Sequence, residues 1–146
     1  MISNNKKIVI ATGGTGGHVF PAVGLASFLN NEGYDPILTT DKRGFKFLDK
    51  KNYKMTKIIN SYPFNKNNKT FSILSTIFAF LKSLLLLLQT RPKFIFGMGG
   101  YSSFPVCLAG TILRIPFIIY ESNLFMGKAN RYLTPSAKKI FVSYRD

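Results

Sequence analysis

Residues 11–23 read ATGGTGGHVFPAV, with glycine at 13, 14, 16 and 17 followed by His18, the only histidine in the chain. Such a stretch is bare backbone. Where it joins a strand to a helix, free N–H groups and the helix dipole attract an anion, and the missing side chains let a phosphate approach closely. It fits neither common phosphate-loop pattern. Counted from Gly14, the last glycine of G-x-G-x-x-G is replaced by Val19, and no G-x-x-x-x-G-K-[ST] occurs. A plain flexible turn would be over-supplied with glycine, so the stretch reads as a phosphate or sugar-phosphate site. His18 has two readings: a cap on the helix N-terminus, or a neutral imidazole able to act as a base near pH 7.

Two further stretches carry chemistry. FGMGGYSSFP (96–105) brings Gly97, Gly99 and Gly100, then Tyr101, Ser102 and Ser103. YESN (120–123) brings Glu121, the only carboxylate between Asp49 and Asp146. It is either a salt-bridge partner for a lysine or a catalytic or substrate-binding carboxylate, with Asn123 offering a donor and an acceptor to a hydroxyl or base.

The elements that must position these loops alternate between strands and helices. Apolar runs predict strands at Ile8–Ala11, Pro36–Thr40, Met55–Ile59, Phe94–Phe96, Phe117–Tyr120 and Ile140–Val142. Between them lie a helix with Pro21 in its first turn and Gly33 as its stop, a short helix near Gly44–Lys50, and a long one at Phe71–Gln89. Two more follow at Phe104–Leu113 and Met126–Leu133. Such alternation implies right-handed crossovers and a Rossmann-like α/β fold, a parallel sheet with helices on both faces. Ligands of such sheets bind at the carboxyl ends of the strands, where all three unusual loops fall.

Composition narrows the partners. At 146 residues the chain fits one domain. Twenty Lys and Arg against six Asp and Glu give a formal charge of +14. That balance is either a compositional habit or a sign of anionic partners: nucleic acid, an acidic membrane or phosphorylated substrates. No helix-turn-helix, zinc or RNP-like pattern supports nucleic acid. One histidine and one cysteine argue against a metal site. Cys107, alone in an apolar run, reads as core in a reducing cytoplasm, and no secretory signal is visible.

The run FSILSTIFAFLKSLLLLLQ (71–89) is apolar nearly all round and so must be buried in something. About 20 such residues can span a bilayer, yet Lys82 falls inside the run, at a cost of about 2.5–3.5 kcal/mol on insertion scales. Strands on both sides also require the helix to pack on a sheet. From Lys50 to Tyr120 there are ten Lys or Arg and no Asp or Glu. SYPFNKNNKTF, just before the helix, sets aromatics among lysines. An apolar patch ringed by cations predicts peripheral contact with an anionic membrane, each cation adding about 1 kcal/mol. The competing reading is a core helix beside a solvated basic face.

The motifs GGTGGHVFPA, GMGGYSSFP and ESN, in this order and spacing, resemble the N-terminal domain of the MurG family, along essentially the whole chain. The resemblance implies the N-terminal half of a GT-B glycosyltransferase, inverting, needing neither metal nor cofactor, and peripheral on the cytoplasmic face of the bacterial inner membrane. Such an enzyme moves N-acetylglucosamine from UDP-GlcNAc onto lipid I, a polyprenyl-diphosphate-linked muramyl-pentapeptide, making lipid II for peptidoglycan. It implies that Thr15, Gly16, Gly17 and Asn123 touch the donor and that His18 is the base for the acceptor hydroxyl. Gly14, Gly99, Gly100 and Tyr101 would bind the acceptor diphosphate, and Glu121 would be catalytic against the sugars. Where the family reads His-Glu-Gln-Asn, this chain has Tyr120 and Ser122 around Glu121. The resemblance covers residues 1–146 as an acceptor-binding domain, with the donor-binding domain absent. The expectation is a chain inactive alone, completed by a donor-binding half or a separate donor chain. The alternative is a non-catalytic, lipid-binding fragment of a split or decayed transferase.

Overall fold

A computed structural model of the chain describes residues 6–52, 55–62 and 69–144. Six strands form one sheet: β1 (Lys7–Ala11), β2 (Asp35–Thr40), β3 (Thr56–Ile58), β4 (Phe94–Gly97), β5 (Phe117–Glu121) and β6 (Lys139–Val142). All pairs are parallel, in the order β3-β2-β1-β4-β5-β6. The order reverses between β1 and β4, so the loops leaving these strands diverge and open a crevice at their carboxyl ends.

Period-two alternation in β1 sorts the core. Val9 and Ala11 face one side, packing with Ile95, Phe117 and Ile119 against helices α3 (Lys69–Thr90) and α4 (Phe104–Ile112). Ile8 and Ile10 face the other, with Leu38 and Met98, under Ala22, Ala26 and Leu29 of α1 (Gly16–Asn31). The sheet is thus covered on both faces, as the alternating pattern predicts. Cys107 is fully buried in the first cluster, and burial pushes its thiol up to about 12. Its Sγ occupies the space that a side chain at Gly97 would need.

Most boundaries shift by only one or two residues, and those of three helices have a clear physical cause. Helix α1 begins at Gly16, five residues before Pro21, because the Thr15 carbonyl already accepts from His18 and Val19. Pro21 lies inside the helix on its exposed side, where the N–H it lacks would have met Gly17, itself exposed. The helix does stop at Gly33, whose N–H bonds to Asn30 while Tyr34 bonds to Leu29. The next helix, α2, covers Lys42–Phe45, because the buried Asp41 side chain caps it, and a single 3₁₀ turn follows at Lys50–Asn52. The last helix, α5 (Lys128–Leu133), starts two residues late because Gly127 is extended.

Helix α3 departs most from expectation. Its inward residues are Ser72, Ala79, Ser83 and Leu87, mostly small, and its main partner is α4. Phe71, Leu74, Phe78, Leu81, Leu85 and Leu88 lie between 48% and 61% exposed, at spacings of three and four. Only 28% of its most apolar stretch is buried. Among the described residues the helix is therefore not fully buried, and its apolar stripe faces outward. Residues 63–68, in the preceding aromatic and lysine-rich segment, lie outside the described residues.

Candidate functional site

The loops after β1, β4 and β5 meet at the crevice and enclose a cleft of about 310 Å³. Its centre is His18, in the first turn of α1. The imidazole does not cap its own helix. It crosses to the second glycine loop, where a side chain at Gly99 would lie 3.2 Å from Cε1 and one at Gly100 would lie 3.6 Å from Cδ2. Gly99 and Gly100 have φ of +86° and +77°, a left-handed path that admits the ring closely and costs other residues about 1–2 kcal/mol. His18 Nδ1 lies 3.3 Å from Ser122 Oγ, and the Thr12 hydroxyl donates to the His18 carbonyl at 2.8 Å. The third loop thus reaches the imidazole through Ser122.

Two buried carboxylates brace the cleft. Glu121 is 2% exposed and accepts four hydrogen bonds. Oε1 takes Asn123 N (3.0 Å) and Asn123 Nδ2 (2.7 Å); Oε2 takes Gly127 N (3.0 Å) and Asn130 Nδ2 (2.8 Å). Burial alone would raise its pKa, but the donors from Asn123, Gly127 and Asn130 prevail and hold it below the usual range. No lysine pairs with it among the described residues. Its charge is spent on folding the 121–130 loop.

Asp41, also 2% exposed, does the same on the opposite wall. It accepts from Gly44 N (2.7 Å), Gly14 N (3.1 Å) and Arg43 (Nη2 at 2.7 Å). Burial pushes its pKa up, yet these bonds outweigh it and the net shift is downward. Ser102, buried beside it, favours the charged form slightly without reaching hydrogen-bond geometry.

The family model of the glycosyltransferase family 28 N-terminal domain matches residues 8–142. The chain belongs to this family. It is 41% identical over 139 residues to the "UDP-N-acetylglucosamine--N-acetylmuramyl-(pentapeptide) pyrophosphoryl-undecaprenol N-acetylglucosamine transferase" of Wolbachia sp. subsp. Brugia malayi (strain TRS), covering 94% of this chain and 38% of that protein. The enzyme of the same name from Rickettsia felis (strain ATCC VR-1525 / URRWXCal2) is 39% identical over 142 residues, with 97% and 39% covered. The chain therefore spans about two fifths of the length of these relatives. Among solved structures, Acinetobacter baumannii MurG superposes with a TM-score of 0.80 at 25% identity, over 96% of this chain and 41% of that one. UDP-GlcNAc 2-epimerase from Methanocaldococcus jannaschii shares the fold, with a TM-score of 0.67 at 16% identity over 94% of this chain and 39% of that one.

In this family 28 domain the cleft brings together Gly14, Thr15, His18, Gly100, Tyr101, Glu121 and Asn123. Gly16, Gly17 and Gly99 lie outside the lining. A side chain at Gly16 would strike the Phe20 ring, and Gly99 lies behind the imidazole. Gly14 lines the cleft, but its N–H is taken by Asp41, so the loop amides nearest the open end of α1 are those of Thr15, Gly16 and Gly17. Sequence reasoning missed Asp41, Arg43, Gly127, Lys128 and Asn130. Asp41 three residues before Gly44 is a readable helix-cap spacing; Lys128 carries no local signal. Among the described residues no three His, Cys, Asp or Glu side chains cluster. Among the described residues, the positive charges that line the cleft are Arg43, already paired with Asp41 at 2.7 Å, and Lys128.

Proposed function

We propose that this chain forms the acceptor side of a GlcNAc transferase that converts lipid I to lipid II, and that transfer requires a donor-binding half. The observation that carries the reading is the meeting of three loops on His18 at the sheet's reversal point. The family and the names of the 39–41% identical relatives support the substrates.

In this reading His18 is the base. Ser122 engages Nδ1, leaving Nε2 to accept the proton of the acceptor sugar hydroxyl. The freed oxygen attacks the anomeric carbon from the side opposite the nucleotide, UDP leaves with the bonding pair, and the configuration inverts. The amides of Thr15, Gly100 and Tyr101, which line the cleft, face the diphosphates, and the free amides of Gly16 and Gly17 add the positive end of α1 behind them. Glu121 is a positioning residue and not a catalytic one, since all four of its bonds are to its own loop. The exposed stripe of α3 and the +14 charge favour a peripheral seat on an anionic membrane, at the cytoplasmic face where a lipid acceptor would lie.

The test is reconstitution. The chain is mixed with, or fused to, the C-terminal half of a family enzyme and assayed for lipid II from lipid I and UDP-GlcNAc. Activity lost in His18→Ala, about 100-fold or more for a removed general base, supports the reading. A folded, lipid-binding complex with no transfer favours the non-catalytic alternative.

A further inference from the structure

The amide-lined cleft does not end at Tyr101. It continues into a second depression of about 430 Å³, within the range of small-molecule sites, about 300–1,000 Å³. Three residues line both: Tyr101, Lys128 and Ala129. Beyond them the walls turn aromatic, with Tyr62, Phe104 and Tyr132. Tyr62 in turn packs on Phe71, ring centroids 5.7 Å apart, and Phe71 is the first residue of the outward stripe of α3.

The surface thus runs in a fixed order: backbone amides, one lysine, an aromatic groove, an apolar helix face. A ligand that matches this order carries a diphosphate at one end of an isoprenoid chain. Lys128 suits the junction. It is exposed, and it has no ion-pair partner among the described residues. Glu121, the carboxylate lining the same cleft, is already engaged by four donors. Flat aromatic walls favour a branched, unsaturated chain by contact area. We infer that the groove seats the first isoprene units of the acceptor lipid and that Lys128 meets its diphosphate where the two cavities join. This rests on the acceptor-side reading above and adds the tail's route to it.

The chain contains no tryptophan, so Tyr132→Trp puts a single reporter on the groove rim. Farnesyl diphosphate, kept below its micelle concentration, should shift that emission to the blue and bind at least about tenfold more tightly than inorganic pyrophosphate. Thr76 lines the groove but not the cleft. In the reporter background, Thr76→Phe should fill the groove, abolish the shift and bring farnesyl diphosphate down to the affinity of pyrophosphate, with pyrophosphate binding unchanged. Thr76→Ala loses the hydroxyl's bond to Ser72 without filling the space, and should bind like the parent. Lys128→Gln should weaken both ligands about fivefold.

Equal affinities with unmoved emission would overturn the inference while sparing the acceptor-side reading. Farnesol binding as well as its diphosphate would overturn the role of Lys128. If calorimetry detects neither pyrophosphate nor farnesyl diphosphate on the folded chain, the inference and the acceptor-side reading fall together.

Discussion

Replacing Glu121 by glutamine tests whether the 121–130 loop is held by one carboxylate. The wild-type carboxylate accepts two main-chain and two side-chain donors. A glutamine offers one acceptor oxygen and, in place of the other, an NH₂ group that meets N–H donors head-on. If that NH₂ points at Oε2's partners, Asn130 can turn over, because its Oδ1 is buried without a partner and would accept. Gly127 N has no such escape. In the opposite orientation the Asn123 main-chain N–H is left unpaired. Either way one hydrogen bond to a charged group is lost, worth about 1.5–3 kcal/mol, and the others weaken from charged to neutral. Asn123 and Gly127 are exposed and recover part of this from water. The net expectation is a loss of about 2–3 kcal/mol at pH 7, or a drop of about 1–1.5 M in the urea midpoint. The pH dependence fixes the cause. The Glu121 pKa is lowered in the fold, so its stabilisation is complete above the unfolded value near 4.3 and is lost as pH falls through the lower folded value. The gap between wild type and Glu121→Gln should therefore begin to narrow as pH falls below about 5, and go on narrowing as pH falls through the lower folded value. Asp41, also lowered, leaves an acid limb in both proteins and cancels in the difference. Urea unfolding followed by circular dichroism at pH 7, 5, 4 and 3 measures the gap. A gap that is absent at pH 7, or constant down to pH 3, would refute the argument.

Three further outcomes are expected. Asp41→Asn should cost about 1–2 kcal/mol in urea unfolding, through the cap on α2 and the Gly14 bond, and should loosen the first glycine loop, read as faster amide exchange at Gly14. Arg114 sits at φ +56° just past α4, in the position where helices prefer glycine. Arg114→Gly should raise stability by up to about 1 kcal/mol, measured by the same urea curves. Serine at both Phe78 and Leu85 should abolish flotation with anionic vesicles while leaving the urea midpoint within about 0.5 kcal/mol, since both side chains are more than half exposed.

The sheet was legible because most strands are short apolar runs that stop at a loop residue, and the glycine loops marked the carboxyl ends where the crevice opens. Boundaries set by tertiary partners were not. Pro21 reads as a first-turn residue by its own chemistry, but Val19 is buried ahead of it, while Ala22, Ala26 and Leu29 pack on the sheet, and the helix starts at Gly16. The role of Glu121 was legible only as a choice between a lysine partner and chemistry. Its actual donors lie two, six and nine residues on, in a loop whose path no local rule predicts. Asp41 binds Gly14 across 27 residues of sequence, and only the β1–β2 pairing brings them together.

Helix α3 joins these observations. Its period-3.6 pattern is unreadable from apolarity alone, because the inward face is the small one: Ala79 and Ser83 let α4 come close, and the large side chains are turned out. Full burial of a Leu or Phe is worth about 1.5–3 kcal/mol, so six side chains about half exposed retain about 5–9 kcal/mol for whatever covers them. That is the scale of a reversible lipid anchor. Lys82 does not break the stripe, since its Nζ lies over the Phe78 ring at 4.6 Å and can reach the headgroup level. With the stripe on the bilayer, Phe71 and Tyr62 stand where the apolar surface turns into the groove, and Lys128 stands where the groove turns into the cleft. A lipid-linked acceptor then needs no extraction from the membrane. On the proposed acceptor-side reading, its tail leaves along α3, its diphosphate is met at the junction, and its sugar arrives at His18.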